Sequence, residues 1–194
     1  MKKKLIAITG GLATGKSTVL NIIKELGFSV LSCDDIVKDL YTHKEIKENI
    51  KSLCDIDIFN TTGEIDRKKL LLAIIKDSNL KKRLEQFLHP LVWKEIQKRI
   101  LQDLADKANP IFVEVPLLFE ANWDKYFDEI WVVSCSEQIQ KERILKRQDP
   151  ENWLLLATLQ IPIEEKIKRA DRVISSEKPL DELREELKDI LSEY

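Results

Sequence analysis

Three of the five glycines in this 194-residue chain, Gly10, Gly11 and Gly15, fall within one short stretch, and Lys16, Ser17 and Thr18 follow at once. Gly10-x-x-x-x-Gly15-Lys16-Ser17 is the pattern of a phosphate-binding loop. Glycine lets the backbone N–H groups of Gly11, Leu12, Ala13, Thr14 and Gly15 converge on an anion without Cβ collisions, and a helix starting at Lys16 adds the positive end of its dipole. In such a loop Lys16 reaches the β- and γ-phosphates, the Ser17 hydroxyl faces Mg²⁺, and Thr18 bonds further back along the phosphates. The bland alternative is an ordinary strand–turn–helix junction. Elsewhere, Asp34 and Asp35 offer carboxylates that can face an acceptor. Arg143 and Arg147 stand four apart, a spacing that puts both on one helix face within reach of one phosphate cluster. Alternatively these arginines belong to a solvated basic face paired with Glu137, Glu142 and Asp149.

The elements that must position these residues follow from hydrophobic pattern. Leu5 to Ile8 is a short apolar run ending in the glycine turn, which reads as a buried parallel strand. Val19, Ile22, Ile23 and Leu26 then recur at helical spacing, with Gly27 as a left-handed C-terminal cap. Further strands are expected at Phe28 to Leu31, Ile111 to Val115, Ile130 to Val133 and Val173-Ile174, each pair separated by helix. That alternation predicts an α/β fold with a five-stranded parallel sheet between helical layers. Between the second and third strands a long helical insert is expected, with runs at Ile36 to Leu53, Lys68 to Ile75, Leu80 to Leu88 and Leu91 to Leu104. After the fourth strand, Glu137 to Gln148 reads as a basic helix, followed by Asp149-Pro150 and two helical pieces up to Ala170, together forming a lid. Leu180, Leu183, Leu187, Ile190 and Leu191 mark a final amphipathic helix. The expected organisation is one domain over 1–194, with a core of about 1–35, 106–135 and 170–194, an acceptor-binding insert of about 36–105 and a lid of about 136–169.

Composition narrows the function. With 32 Lys and Arg against 34 Asp and Glu, the formal charge is −2. No basic stripe exists to displace counterions along a duplex, so nucleic acid is not an expected partner. Leu5 to Ile8 is too short for a signal sequence or a span, so no membrane partner is expected and a cytoplasmic location is. The three cysteines, at 33, 54 and 135, form no CxxC pair, and neither a disulfide framework nor a zinc site is expected. A phosphate loop alone does not separate kinases from GTPases or motors. The chain has no Asn-Lys-x-Asp guanine motif, no Asp-x-x-Gly switch motif and no apolar strand ending in Asp-Glu, its third strand ending Val113-Glu114-Val115-Pro116. A compact transfer enzyme remains, with Asp34 delivered at the sheet edge where open α/β sheets bind ligands.

Several separate motifs then resemble the dephospho-coenzyme A kinase family. Beside the loop Thr9 to Thr18, the family's Asp-Ala-Asp strand end is similar to Ser32-Cys33-Asp34. Its Gly-x-x-x-Arg element looks like Gly63 to Arg67 and its His-Pro turn like His89-Pro90. Val115 to Glu120 resembles its Pro-Leu-Leu-Phe-Glu stretch, and Arg143, Arg147, Gln160, Lys166 and Ala170-Asp171 follow its lid pattern. The resemblance implies a P-loop kinase of three-layer α/β/α architecture that transfers the γ-phosphoryl group of ATP to the ribose 3′-hydroxyl of dephospho-coenzyme A, the last step of coenzyme A synthesis. It also implies Mg²⁺ as cofactor and ATP and dephospho-coenzyme A as partners; a monomer is expected. In that reaction Lys16, Arg143 and Arg147 neutralise charge, and Asp34 accepts the proton of the hydroxyl. ATP would be held by residues 11–18 with Arg143 and Ser176.

Other assignments carry a second reading. Asp35, or Asp34 itself, can cap the next helix, Asp35 being the favoured cap. His89 is an acceptor-site residue or a local turn residue. Leu117 and Phe119 form an apolar wall for the acceptor, or Phe119 belongs to the core. Glu114 holds Mg²⁺ through water or is a hydrogen-bonded structural carboxylate. Three positions depart from the family pattern: Ser32 for aspartate, Lys38 for arginine and Ser176 for asparagine. The rivals are a kinase for a nucleoside monophosphate or small metabolite, which wants clustered arginines where the insert has only the spaced Arg67, Arg83 and Arg99, and an ATP-occupied switch protein.

Overall fold

The structure, a computed structural model, describes residues 3–103, 110–147 and 150–194. Five strands occur where the apolar runs place them: β1 (Leu5–Gly10), β2 (Ser29–Ser32), β3 (Ile111–Glu114), β4 (Glu129–Ser134) and β5 (Arg172–Ser175). They form one all-parallel sheet in the order β2-β3-β1-β4-β5. The chain leaves β1 toward one edge and, after β3, crosses to the other. The C-terminal end of β1 is therefore the switch point of the sheet, the place where open α/β sheets bind ligands.

The chain divides into two compact units, 1–32 with 103–194, and 33–102. In the first, α1 (Lys16–Glu25) and α9 (Leu180–Leu191) cover one sheet face. Ile6, Ile8, Phe112, Trp131, Val133 and Ile174 point from that face into a core with Val19, Ile22, Ile23, Leu183, Leu187 and Leu191. The period of two in the strands and the i, i+4, i+8 spacing in α9 are what such a face requires. Alternate strand residues Ala7, Val113 and Val132 are also buried, as expected for a sheet covered on both sides. Helix α1 ends as its glycine predicts: Leu26 caps it, Gly27 takes φ +92°, and the Gly27 N–H reaches the Lys24 carbonyl at 3.0 Å.

The second unit contains α2 (Cys33–Leu40), α3 (Lys44–Leu53), α4 (Arg67–Lys76) and α5 (Ser78–Asp103) around its own core of Ile50, Ile58, Ile65, Leu70, Ala73, Leu80 and Leu84. Asp66 caps α4 by accepting the N–H groups of Lys68 and Lys69 at 3.0 and 3.1 Å. Two expectations are corrected here. The runs at Leu80 to Leu88 and Leu91 onward are one 26-residue helix, and His89-Pro90 lies inside it, not in a turn. A proline in a helix interior costs about 3 kcal/mol or more. The stripe Leu80, Leu84, Val92, Ile96, all buried, stays in one four-residue register on both sides of Pro90, with the half-buried Leu88 between, and its burial outweighs that cost.

Three further helices complete the first unit: α6 (Glu137–Leu145), α7 (Pro150–Ala157) and α8 (Ile163–Lys168). Helix α6 stops short of the expected Gln148. The Arg147 N–H bonds back to Ile144 only three residues away, at 3.0 Å, a tightened last turn that closes the helix. Arg147 therefore lies beyond the helix, and the shared helix face expected for Arg143 and Arg147 does not form. Leu104, Gln148 and Asp149, named above as helix ends or as a partner for the arginines, lie outside the described residues. No described helix is long and apolar enough to cross a membrane.

Candidate active site

The phosphate loop is shaped by where glycine alone fits. Gly10 has φ +151°, and a Cβ there would stand 2.2 Å from the Val133 carbonyl oxygen, an immovable atom of β4. Gly15 has φ +90°, and a Cβ would meet Ser176 at 2.8 Å. Between them Ala13 adopts φ 57°, so the chain curls tightly around the loop interior.

Inside the curl the carbonyls are held by the protein. The buried Lys16 donates from Nζ to the Gly11 carbonyl at 2.7 Å and the Gly10 carbonyl at 3.4 Å. Thr14 Oγ1 donates to Gly11 at 2.8 Å, Gln140 Nε2 to Leu12 at 2.6 Å, and Ser176 Oγ to Thr14 at 2.6 Å. Anchoring the carbonyls in this way turns successive N–H groups toward an incoming anion. Ser17 and Thr18 are exposed on the first turn of α1, with hydroxyls available beside the loop.

Helix α6 supplies the basic side of the site. Arg143 donates from Nη1 to Ser176 Oγ and from Nη2 to the Ser176 carbonyl, both at 2.8 Å. This fork fixes the guanidinium beside Gly15, where a Cβ would come within 3.3 Å of Nη1. Arg147 is exposed. Burial pushes the neighbouring Cys135 thiol above its ordinary pKa, against a smaller opposing pull from Arg143, so at neutral pH it is a thiol and not a nucleophile.

At the C-terminal ends of β2 and β3, Ser32 and Glu114 are register partners, and Ser32 Oγ donates to Glu114 Oε2 at 2.9 Å. The departure at Ser32 thus gives Glu114 a hydroxyl donor. Among the described residues no cluster of three or more His, Cys, Asp or Glu could cage a metal. Ser17 and Glu114 nevertheless provide the hard oxygen donors that suit Mg²⁺ when most of its ligands come from phosphates and water.

Leu118 and Phe119 are buried, while Leu117 is half-buried. The Arg169 guanidinium lies 4.0 Å above the Phe119 ring and pairs with Asp124 at 2.8 Å. Phe119, 4% exposed, is therefore a core side chain and not an open wall for the acceptor.

Asp34 and His89 belong to the second unit. Asp34 is exposed in the first turn of α2, two residues past the end of β2. Asp35, expected to cap this helix, sits inside it: α2 already begins at Cys33, and the Asp35 carboxylate takes Lys38 Nζ at 2.5 Å. His89 is half-buried, and burial lowers its pKa against a weaker pull from Glu85, which keeps the imidazole neutral at pH 7. Two of the insert's three arginines form internal pairs: Arg99 with Asp39 and Glu95, Arg83 with the Leu53 carbonyl and Asp77. These pairings weaken the nucleoside monophosphate alternative.

Sequence reasoning missed Gln140 and the grip of Ser176 on the loop. A signal for Gln140 existed, since it precedes Arg143 by three and so shares its helix face. Ser176 has no such local signal, because its partner Thr14 is distant in sequence.

A family model described as dephospho-CoA kinase matches residues 4–182. The dephospho-CoA kinase of Carboxydothermus hydrogenoformans is 36% identical over 194 aligned positions, covering 98% of this chain and 94% of the relative. That of Enterococcus faecalis is 35% identical over 98% of this chain and 96% of its own. Among solved structures, TT1252 from Thermus thermophilus superposes with a TM-score of 0.84 at 30% identity, covering 100% of this chain and 98% of that one. Dephospho-CoA kinase from Campylobacter jejuni gives 0.68 at 29%, covering 99% and 97%.

Proposed function

The chain belongs to the dephospho-CoA kinase family, and from that premise we propose how its own residues phosphorylate dephospho-CoA with ATP. The observation that carries the reading is the phosphate loop with every gripping side chain in place: Lys16, Thr14, Gln140, Arg143 and Ser176 all act on residues 10–15 or on each other. ATP phosphates lie in the N–H groups of 11–15, with Lys16 exchanging the Gly11 carbonyl for the β- and γ-phosphates. Arg143 and Ser176 flank the nucleotide, and Thr18 bonds the phosphates behind the reacting group.

The acceptor is the ribose 3′-hydroxyl. Its oxygen forms a bond to the γ-phosphorus as the bond from that phosphorus to the β–γ bridging oxygen breaks, leaving ADP. Asp34 accepts the hydroxyl proton, which its place just past β2 suits. The transition state is loose, with charge on the peripheral oxygens, so positive groups and alignment supply most of the rate. Lys16, Arg143 and the exposed Arg147 are those groups. When bound, Mg²⁺ neutralises charge between the phosphates; Ser17 would hold it directly and Glu114 through water. Neutral His89 offers the acceptor a hydrogen bond without charge, and the half-buried Leu117 gives it apolar contact.

We further read the chain as a cytoplasmic monomer that engages neither nucleic acid nor membrane, which sedimentation and cell fractionation check. The reaction itself is tested by ADP release from Mg·ATP with dephospho-CoA, AMP, shikimate or no acceptor, and by mass spectrometry of the product. The expected result is release that depends on dephospho-CoA, with one phosphoryl group added at the ribose 3′ position. Dependence on another acceptor would overturn the substrate, and acceptor-independent hydrolysis would favour the switch protein.

A further inference from the structure

One buried ionic group has no part in the mechanism above. Lys166, in α8, has a fully buried side chain, and Glu120, in the loop after β3, is nine-tenths buried. Lys166 Nζ meets Glu120 Oε1 at 3.0 Å and donates to the Pro116 carbonyl at 2.9 Å. The same Oε1 accepts the Ile161 N–H at 2.9 Å. One carboxylate oxygen and one ammonium thus join the loop 116–120 to the start and the body of the segment that returns from α7.

That loop is in turn fixed to the strand feeding the phosphate loop. The Val115 N–H bonds the Ile8 carbonyl at 2.9 Å, and Thr9 Oγ1 donates to the Pro116 carbonyl at 3.4 Å. Beside the phosphate loop stands Ile163, the first residue of α8: a Cβ built on Gly11 would lie 3.9 Å from its Cδ1, behind the nearer Gln140 and Thr14 side chains at 3.0 Å. Ile163 stands between the two bonded positions, 161 and 166. Whatever fixes those two fixes the side chain that borders Gly11.

Stability does not explain the pair. Replacing a buried ion pair by apolar side chains of similar volume is often neutral or stabilising, because desolvation offsets the Coulombic gain. Burial here pulls the Lys166 pKa below the ordinary lysine value despite Glu120. What a charged pair adds over methionine or leucine is direction: an ammonium has several donors, a carboxylate two acceptors, and each bond sets an angle as well as a distance. Glu120 Oε2 is buried with no hydrogen-bond partner among the described residues.

We propose that Glu120 and Lys166 form a buried pin that sets Ile163 against Gly11 and so holds the phosphate loop in the geometry for phosphoryl transfer, making both positioning residues. The inference rests on the kinase reading. Turnover of the unaltered chain with dephospho-CoA checks that reading, and the ratio of variant to unaltered chain checks the pin.

The test compares Glu120→Gln, Lys166→Met and the double variant Glu120→Met/Lys166→Met, in the full chain, for kcat, KM, the Kd of ADP and Tm. Each folded single variant should lose about tenfold or more in kcat while the Kd of ADP stays within about threefold. The double variant should regain most of the Tm lost by the singles yet keep the low kcat. Recovery of kcat together with Tm would overturn the proposal, since the pair would then serve packing alone. So would folded single variants with kcat within about twofold of the unaltered chain, or a loss confined to KM. If none of the three folds, Ile163→Ala decides, because Ile163 is only half-buried. It should lower kcat by about threefold or more with the Kd of ADP held, and an unchanged kcat would overturn the pin.

Discussion

The phosphate loop and the helical unit 33–102 supply their chemistry by different means. In the loop the working groups are backbone atoms. Glycine at 10 and 15 is imposed by Val133 and Ser176, and the carbonyls are held by Lys16, Thr14, Gln140 and Ser176. In the helical unit the candidate groups are side chains on helices: Asp34 is exposed on α2, and His89 is half-buried in α5. A backbone site is complete once the chain folds, so its residues are recognisable by spacing. A side-chain site depends on what each helix presents, and its residues look like their solvated neighbours until a substrate distinguishes them.

Substitutions can break this contrast, beginning with the largest effect. Lys16→Ala should cut kcat by about a thousandfold or more, since the ammonium bears directly on the transferring group. Its Tm should fall only slightly, because Thr14 and Gln140 still hold the loop carbonyls; a collapse in Tm would mean that the loop depends on its ligand-binding lysine to fold. Asp34→Asn follows, with kcat lower by about a hundredfold or more and Tm unchanged, as befits an exposed base. Near-normal turnover in that variant would remove the base assignment and leave the helical unit without its main chemical group. Arg143→Ala should cost about tenfold to a hundredfold in kcat, along with a small loss of stability from the broken Ser176 bonds. Arg147→Ala, exposed and beyond α6, should lower kcat with no change in Tm. Parallel kinetics and thermal melts of the two arginine variants check that split.

The same contrast governs what the sequence discloses. Strands, phosphate loop and the Gly27 cap are legible because each is a local pattern: an apolar run, a spacing of glycines, a glycine after a helical stripe. Helix α5 was legible only in halves, because a rule about proline competed with the stripe Leu80, Leu84, Val92, Ile96, and burial of the stripe decided the outcome. The end of α6 turned on a single i→i−3 bond, too fine for periodicity to reveal. Asp35 resembled a cap because its residue type suits one, but the helix had already begun at Cys33. Glu120 and Lys166 were visible as motif residues and not as partners, since nothing local records a bond between segments so far apart in the chain.

His89→Gln sharpens the comparison with the smallest effect, and its pH dependence separates two roles. Burial lowers the His89 pKa below the ordinary histidine value, so the unfolded chain binds a proton here at a higher pH than the folded chain does. Stability from this position is therefore full above the unfolded value of about 6.5 and declines as pH falls below it. Glutamine does not titrate, so Tm should fall less steeply from pH 7 to pH 5 in the variant than in the unaltered chain. If His89 also bonds the acceptor, KM for dephospho-CoA should rise by about threefold at pH 7.5 with kcat unchanged. A flattened Tm profile with an unaltered KM would make His89 a purely structural residue of α5 and leave Asp34 to represent the helical unit's chemistry. A raised KM would instead show that this unit, like the loop, prepares a neutral hydrogen-bonding group before substrate arrives.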